Sequence, residues 1–218
     1  MKKFELTAEF VTNVFGKKLF RIKALVAFGD VEKGELGGFI EKEDNLSHDG
    51  NAWVYGDAWV YGDAQVSGNA RVSGNAQVSG NAWVYGDAQV SGNAWVSGNA
   101  RVYGDAWVSG NAQVSGNARV YGDAQVSGNA RVSGNADYAV VKGFGRYFRT
   151  TTFFRCKDKI LRVQCGCFYG DLAQFREIVK KTHGDSKYAK EYLAIADLME
   201  LHFSDECGGE QMNDGKIH

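Results

Sequence analysis

A chain of 218 residues with a net charge of −1 at pH 7 has no general electrostatic attraction for nucleic acid or anionic membranes. No apolar run approaches the roughly 18 residues of a membrane-crossing helix, and Met1-Lys2-Lys3-Phe4-Glu5 lacks the apolar core of a secretory signal. Four cysteines, two of them only two residues apart, make no disulfide framework in a chain this long, so the sequence reads as a cytoplasmic protein with reduced thiols and no membrane partner.

Proline is absent while glycine reaches 28, so turns must come from Gly, Asn and Asp. Residues 1–49 read as an N-terminal β cap. Lys3 to Val11 and Lys18 to Phe28 are the arms of a hairpin around Asn13-Val14-Phe15-Gly16. Phe20, Ile22, Ala24 and Val26 alternate as in a half-buried strand. The passage Gly34-Glu35-Leu36-Gly37-Gly38-Phe39-Ile40 then leads into a repeat.

From Gly50 the pattern Gly-(Asn/Asp)-Ala-x-Val-(Ser/Tyr) runs fourteen times without a slip to Ser133, and a degenerate fifteenth copy, Gly134 to Ala139, marks the exit. Ala-x-Val-(Ser/Tyr) alternates with period two, which puts Ala and Val on one face. Gly followed by Asn or Asp lets the chain bend after every short strand. Bends at this spacing cannot make hairpins with a single apolar side. They can make a coil of three short strands with every Ala and Val inward, stacked at roughly 4.8 Å. No helical stripe fits, because Val recurs at six residues rather than at the 3.6-residue period.

With three hexads per coil, outward x residues form three faces. The first carries Trp53, Arg71, Gln89, Trp107 and Gln125; the second Trp59, Gln77, Trp95, Gln113 and Arg131. The third carries Gln65, Trp83, Arg101, Arg119 and Asp137, and adds a column of Tyr85, Tyr103 and Tyr121 followed at the corner by Asp87, Asp105 and Asp123. Trp, Tyr and Arg are the residue types that anchor interfaces. Trp83, Tyr85, Arg101, Tyr103, Arg119, Tyr121, Asp105 and Asp123 are therefore the expected binding residues. Trp53, Trp59, Trp95 and Trp107 are the expected oligomer contacts, since outward Trp columns suit side-by-side packing.

Residues 140–203 read as a C-terminal α+β cap. Tyr147 to Cys156 and Ile160 to Cys167 look like two strands joined at Lys157-Asp158-Lys159. Gly170-Asp171 offers an N-cap to a helix with Leu172, Phe175, Ile178 and Val179 on one stripe, and Ser186 caps a second helix reaching about Phe203. A polar tail follows from Ser204. Lys142, Arg146, Arg149, Arg155, Lys157, Lys159 and Arg162 make one basic stretch, read as the wet side of a hairpin rather than a nucleic-acid surface. Cys156 with Cys165-Gly166-Cys167 lacks zinc-knuckle spacing, and buried thiols fit better than a metal site.

The array resembles that of left-handed β-helix hexapeptide proteins, in which three hexads make one triangular coil; the resemblance implies a left-handed prism of about five coils. Further passages are similar to hexapeptide-repeat proteins of phages and prophages, mostly without an assigned function. They are Phe20-Arg21-Ile22-Lys23-Ala24-Leu25 with Phe28-Gly29-Asp30-Val31, Gly34 to Gly38 leading to Asn45-Leu46-Ser47, and Cys165-Gly166-Cys167-Phe168. Hexapeptide acyltransferases place a catalytic histidine on the coil. This array has no His, Lys, Glu or Cys, and only His48 lies near the first coil. The expectation is a mainly β, non-catalytic binding protein without cofactor or metal, engaging a host protein or a small nucleotide-like ligand as a dimer or trimer. An acyltransferase-like enzyme and a self-assembling structural protein are the alternatives.

Overall fold

The computed structural model describes residues 1–204. β1 (Phe4–Thr12) and β2 (Lys18–Ala24) form an antiparallel hairpin with Phe4 opposite Ala24 and Thr12 opposite Lys18. Its turn is held by Asn13, whose Oδ1 accepts from the backbone N–H groups of Phe15 and Lys17. β3 (Leu36–Ile40) pairs antiparallel with β2 on one side and parallel with Trp59–Val60 on the other. Leu46 makes a further parallel bridge to Val66. Coil stacking thus begins upstream of Gly50, on residues that carry no hexad. Gly37 and Gly38 permit the close approach, since a Cβ on either would lie 2.6 Å from the carbonyl oxygen of Val54 or Ala58.

Fourteen two-residue strands follow at six-residue spacing, each an x–Val pair, from β4 (Trp53–Val54) to β17 (Arg131–Val132). They pair parallel at an 18-residue register, as in Trp53 opposite Arg71 and Gln89 opposite Trp107. Three sheets result: β4, β7, β10, β13 and β16; β5, β8, β11, β14 and β17, continuous with β1–β3; and β6, β9, β12 and β15. The protein is a mainly β parallel solenoid of about five coils. Each Ala from Ala52 to Ala130 and each Val from Val54 to Val132 at the repeat positions has no exposed surface, forming one continuous core. A buried Val side chain is worth about 1.5–3 kcal/mol, so a small contribution repeated at every rung holds the prism. The corners need glycine on two counts. Gly110 has φ +67, and a Cβ there would meet the backbone nitrogen of Gly128 at 2.9 Å.

The two ends of this stack differ chemically. N–H groups at the x, Ser/Tyr and Asn/Asp positions donate to carbonyls one coil further on: Gln77 to Ala94, Ser79 to Val96, Asn81 to Gly98. The first coil is left mainly with carbonyls to satisfy, the last mainly with N–H groups. At the first coil Lys3 Nζ donates to Gly50 O at 3.3 Å and Ala52 O at 2.9 Å, and Asn45 Nδ2 donates to Gly62 O and Ala64 O. At the last coil Asn135 Oδ1 accepts from Arg119 N, Thr152 Oγ1 from Gln125 N, and the Asp137 carboxylate from Ser133 N and Gly134 N. Each cap supplies the complement of its edge.

The C-terminal cap is a four-stranded antiparallel meander, β18 (Tyr138–Phe144), β19 (Arg149–Arg155), β20 (Leu161–Cys165) and β21 (Phe168–Asp171). β19 and β20 lie inside the two segments expected from sequence, whereas β18 and β21 were not anticipated. Glycines at 143 and 170 and the short length of Phe168–Asp171 hide their alternation. Gly166 and Cys167 are the two-residue turn between paired Cys165 and Phe168, which accounts for the Cys-Gly-Cys run. α1 (Leu172–His183) starts at a capping box in which Asp171 Oδ1 accepts from Gln174 N and Gln174 Oε1 from Asp171 N. α2 (Lys187–His202) starts at Ser186. Phe153, Val163, Phe175, Ala196 and Met199 join helices and sheet in a second core. Among the described residues no helix is long and apolar enough to cross a membrane. Apart from Ser204, the tail expected from that residue onward lies outside the described residues, as does Cys207.

Candidate binding face

The third face brings most of the expected binding residues together. Trp83, Arg101 and Arg119 occupy consecutive rungs in parallel register, and the Arg101 guanidinium lies 5.1 Å from the Trp83 ring. Stacked beside them are Tyr85 and Tyr103, with centroids 4.9 Å apart and planes within 1°, then Tyr121, 5.4 Å further on at 14°. The 18-residue register forces this column: equivalent χ1 rotamers on successive rungs place identical rings one above the other. Asp87 Oδ1 accepts from Asn69 Nδ2, continuing the corner ladder of Asn side chains, and Asp123 pairs with Lys142 of β18. Asp105 between them is exposed.

At its C-terminal end the face runs into a cleft of about 600 Å³ lined by Tyr103, Arg119, Tyr121, Asp123, Asn135, Tyr138 and Val140. Tyr138 closes this end, its hydroxyl donating to the Arg119 carbonyl that a further coil would otherwise cover. Burial, reinforced by the neighbouring Tyr121 and Tyr103, pushes the Tyr138 phenol up to about 12, so it stays neutral and donating. Sequence reasoning missed Tyr138 as a site residue. The signal was its place in the fifteenth hexad, where Tyr stands at the inward Val position. At the other end a second cleft, of about 650 Å³, is lined by Ser47, His48, Asp63, Gln65 and Ser67. The third face is thus a trough with a cap at each end. Among the described residues no carboxylate pairs with Arg101 or Arg119, and no cluster of His, Cys, Asp and Glu could hold a metal ion.

Two of the four expected oligomer contacts, Trp53 and Trp59, need correction. Trp53 has no exposed surface, because Phe4 and Phe28 of the N-terminal cap meet its ring edge-on at 6.3 Å and 5.4 Å. Trp59 is half-buried against Leu19, Phe39 and Tyr61. Both point out of the solenoid, as their x positions require, but the cap lies over them. Trp83, Trp95 and Trp107 remain 42%, 40% and 47% exposed, one on each face at different heights, so there is no outward Trp column. The indole N–H groups of Trp95 and Trp107 donate to Ser79 and Ser91 on the preceding coil.

His48 stacks on Phe4 at 4.3 Å, and its Nδ1 accepts from the Lys3 backbone N–H. That bond puts the neutral ring's proton on Nε2, which lies 3.7 Å from Glu43. Cys156 is buried, and burial pushes its thiol up; Cys165 is half-buried and Cys167 exposed.

A family model described as the YdcK beta solenoid repeat matches residues 64–78, 76–92, 88–100, 94–110, 112–124 and 124–136. The matched segments lie wholly within the stacked coils. The chain is a repeat β-solenoid protein. No curated protein matches it.

Proposed function

We propose that this is a non-catalytic binding protein of phage or prophage origin, its coils left-handed like those of the hexapeptide proteins it resembles, and that its third face captures a small nucleotide-like ligand. The carrying observation is the pair of guanidiniums, Arg101 and Arg119, set beside Trp83 and the Tyr stack on a rigid sheet that opens into a 600 Å³ cleft. Arginine binds phosphate through its planar fork, aromatic rings stack on bases, and the exposed Asp105 carboxylate accepts from exocyclic amines. Trp95 and Trp107 offer contact surface for a dimer or trimer without occupying this face. A host protein meeting the same face is the second reading, favoured by its mixture of Trp, Tyr, Arg and Asp.

Support against catalysis comes from His48, the histidine nearest the first coil, whose Nδ1 is already engaged by the Lys3 backbone N–H. The donor-matched and acceptor-matched caps likewise favour a discrete particle over an end-to-end polymer. The test is native mass spectrometry of protein purified from expressing cells, then calorimetric titration with a nucleotide panel, for wild type and Arg101→Ala/Arg119→Ala. The expected result is a bound nucleotide and at least about a 100-fold loss of affinity in the double variant, with an unchanged circular dichroism spectrum. Equal affinity in both proteins rejects the surface, and a captured protein without nucleotide moves the conclusion to the second reading.

A further inference from the structure

A separate cavity of about 200 Å³ lies in the C-terminal cap, and the third-face reading makes no use of it. Its wall is mostly apolar, built by Phe168, Phe175, Ile178 and Val179 with the Tyr192 ring, and Thr182 and His183 of α1 also line it. Two guanidiniums stand at its edge. Arg146 and Arg149, from the turn joining β18 to β19 and the start of β19, lie 5.6 Å and 5.2 Å from the Tyr147 ring. They belong to the basic stretch noted in the sequence, and of its members these two line the cavity. Lys142 pairs with Asp123 and Arg162 with Asp158, whereas no carboxylate among the described residues pairs with Arg146 or Arg149. Glu191, on the adjoining helix, is committed to the backbone N–H of Gly145 at 2.9 Å. Tyr147 and Phe148 beside them are 64% and 67% exposed, so the rim is aromatic as well as cationic.

An apolar cavity with unpaired cations at its edge selects for an amphiphile carrying one negative charge. We propose that the cavity is a second binding site, for a small carboxylate with a short aliphatic body: Arg146 and Arg149 hold the head, and the chain lies against Ile178, Val179, Phe168 and Phe175. The ligand must be short, because the cavity falls below the roughly 300–1,000 Å³ typical of sites for drug-sized molecules. The shape gives affinity through burial of methylene groups, and the guanidiniums give selectivity for an anion over an uncharged molecule of the same length.

Octanoate is the probe, read by methyl resonances of Ile178 and Val179 in the full chain. Octanoate should shift both methyls saturably. Octan-1-ol, with the same chain and no charge, should bind about tenfold more weakly, and inorganic phosphate should leave both methyls unmoved. Arg146→Ala/Arg149→Ala should reduce octanoate binding to the octanol level, and Ile178→Trp, which fills the cavity from a partly exposed position, should abolish it. If the arginine variant fails to fold, the comparison of octanoate with octanol on the unaltered protein still decides the matter. Equal affinity for the acid and the alcohol, or no methyl shift with either, overturns the proposal. Arg101→Ala/Arg119→Ala should leave octanoate binding intact, which separates this site from the third face.

Discussion

Lys3 carries the sharpest quantitative prediction. Its residue is 3% exposed, its ammonium donates to two first-coil carbonyls, and burial lowers its pKa from 10.5 to about 8 against a partly compensating attraction from Asp49. Between pH 8 and 10.5 the unfolded chain therefore binds this proton more tightly than the folded one. Stability must rise with pH across that window and level off above it. At about 1.4 kcal/mol per pH unit, the gain approaches about 3 kcal/mol. Lys3→Met removes the titration. At pH 7 it exchanges a buried charge for two unpaired carbonyls, effects of comparable size, so the slope is the diagnostic rather than any single value. Urea unfolding followed by tryptophan fluorescence, in which buried Trp53 reports on the N-terminal cap, should be run from pH 7 to 10. Tyr138 and Tyr192, both pushed up to about 12 by burial, contribute stability that is lost only as pH rises from 10 to 12. They are common to both proteins and cancel in the difference. The stability of wild type minus that of Lys3→Met should grow by about 2 kcal/mol or more between pH 8 and 10. Parallel slopes in the two proteins would refute the assignment of Lys3 as a buried, charged cap.

Two further substitutions test the corners and the other end. Gly122→Ala places its Cβ in open space at φ +64, so only backbone strain of about 1–2 kcal/mol is expected. Gly110→Ala adds a 2.9 Å contact with the next coil and should cost at least about 2 kcal/mol more in urea unfolding; equal losses would refute the close-approach argument. Asp137→Ala leaves the N–H groups of Ser133 and Gly134 without their acceptor and should destabilise by about 1–3 kcal/mol, whereas Asp137→Asn, which keeps an acceptor oxygen, should lose less. If the two Asp137 variants unfold at the same urea concentration, the carboxylate is not acting as the end cap.

The sequence by itself determined what repeats. A six-residue period with Gly at the bend and Ala and Val at alternate positions allows a coil in which every Ala and Val is inward, and with the three hexads per coil that the resemblance implies, the 18-residue pairing of Trp53 with Arg71 and Arg101 with Arg119 follows. Helix starts were legible for a related reason: Asp171 and Ser186 satisfy N–H groups only three residues away. Tertiary structure alone decided what lies on top of an outward residue. Trp53 and Trp107 share one face and one hexad position, yet the first is sealed by Phe4 and Phe28 while the second is 47% exposed. Nothing within either hexad encodes that difference, because it depends on a cap contributed by segments distant in the chain. The same holds for the trough, which is closed by β18, through Tyr138 from the degenerate last hexad and Val140 beyond it. Local periodicity fixes backbone register through interactions repeated at every rung. Burial of a single side chain at a boundary is set by one non-local contact that occurs once.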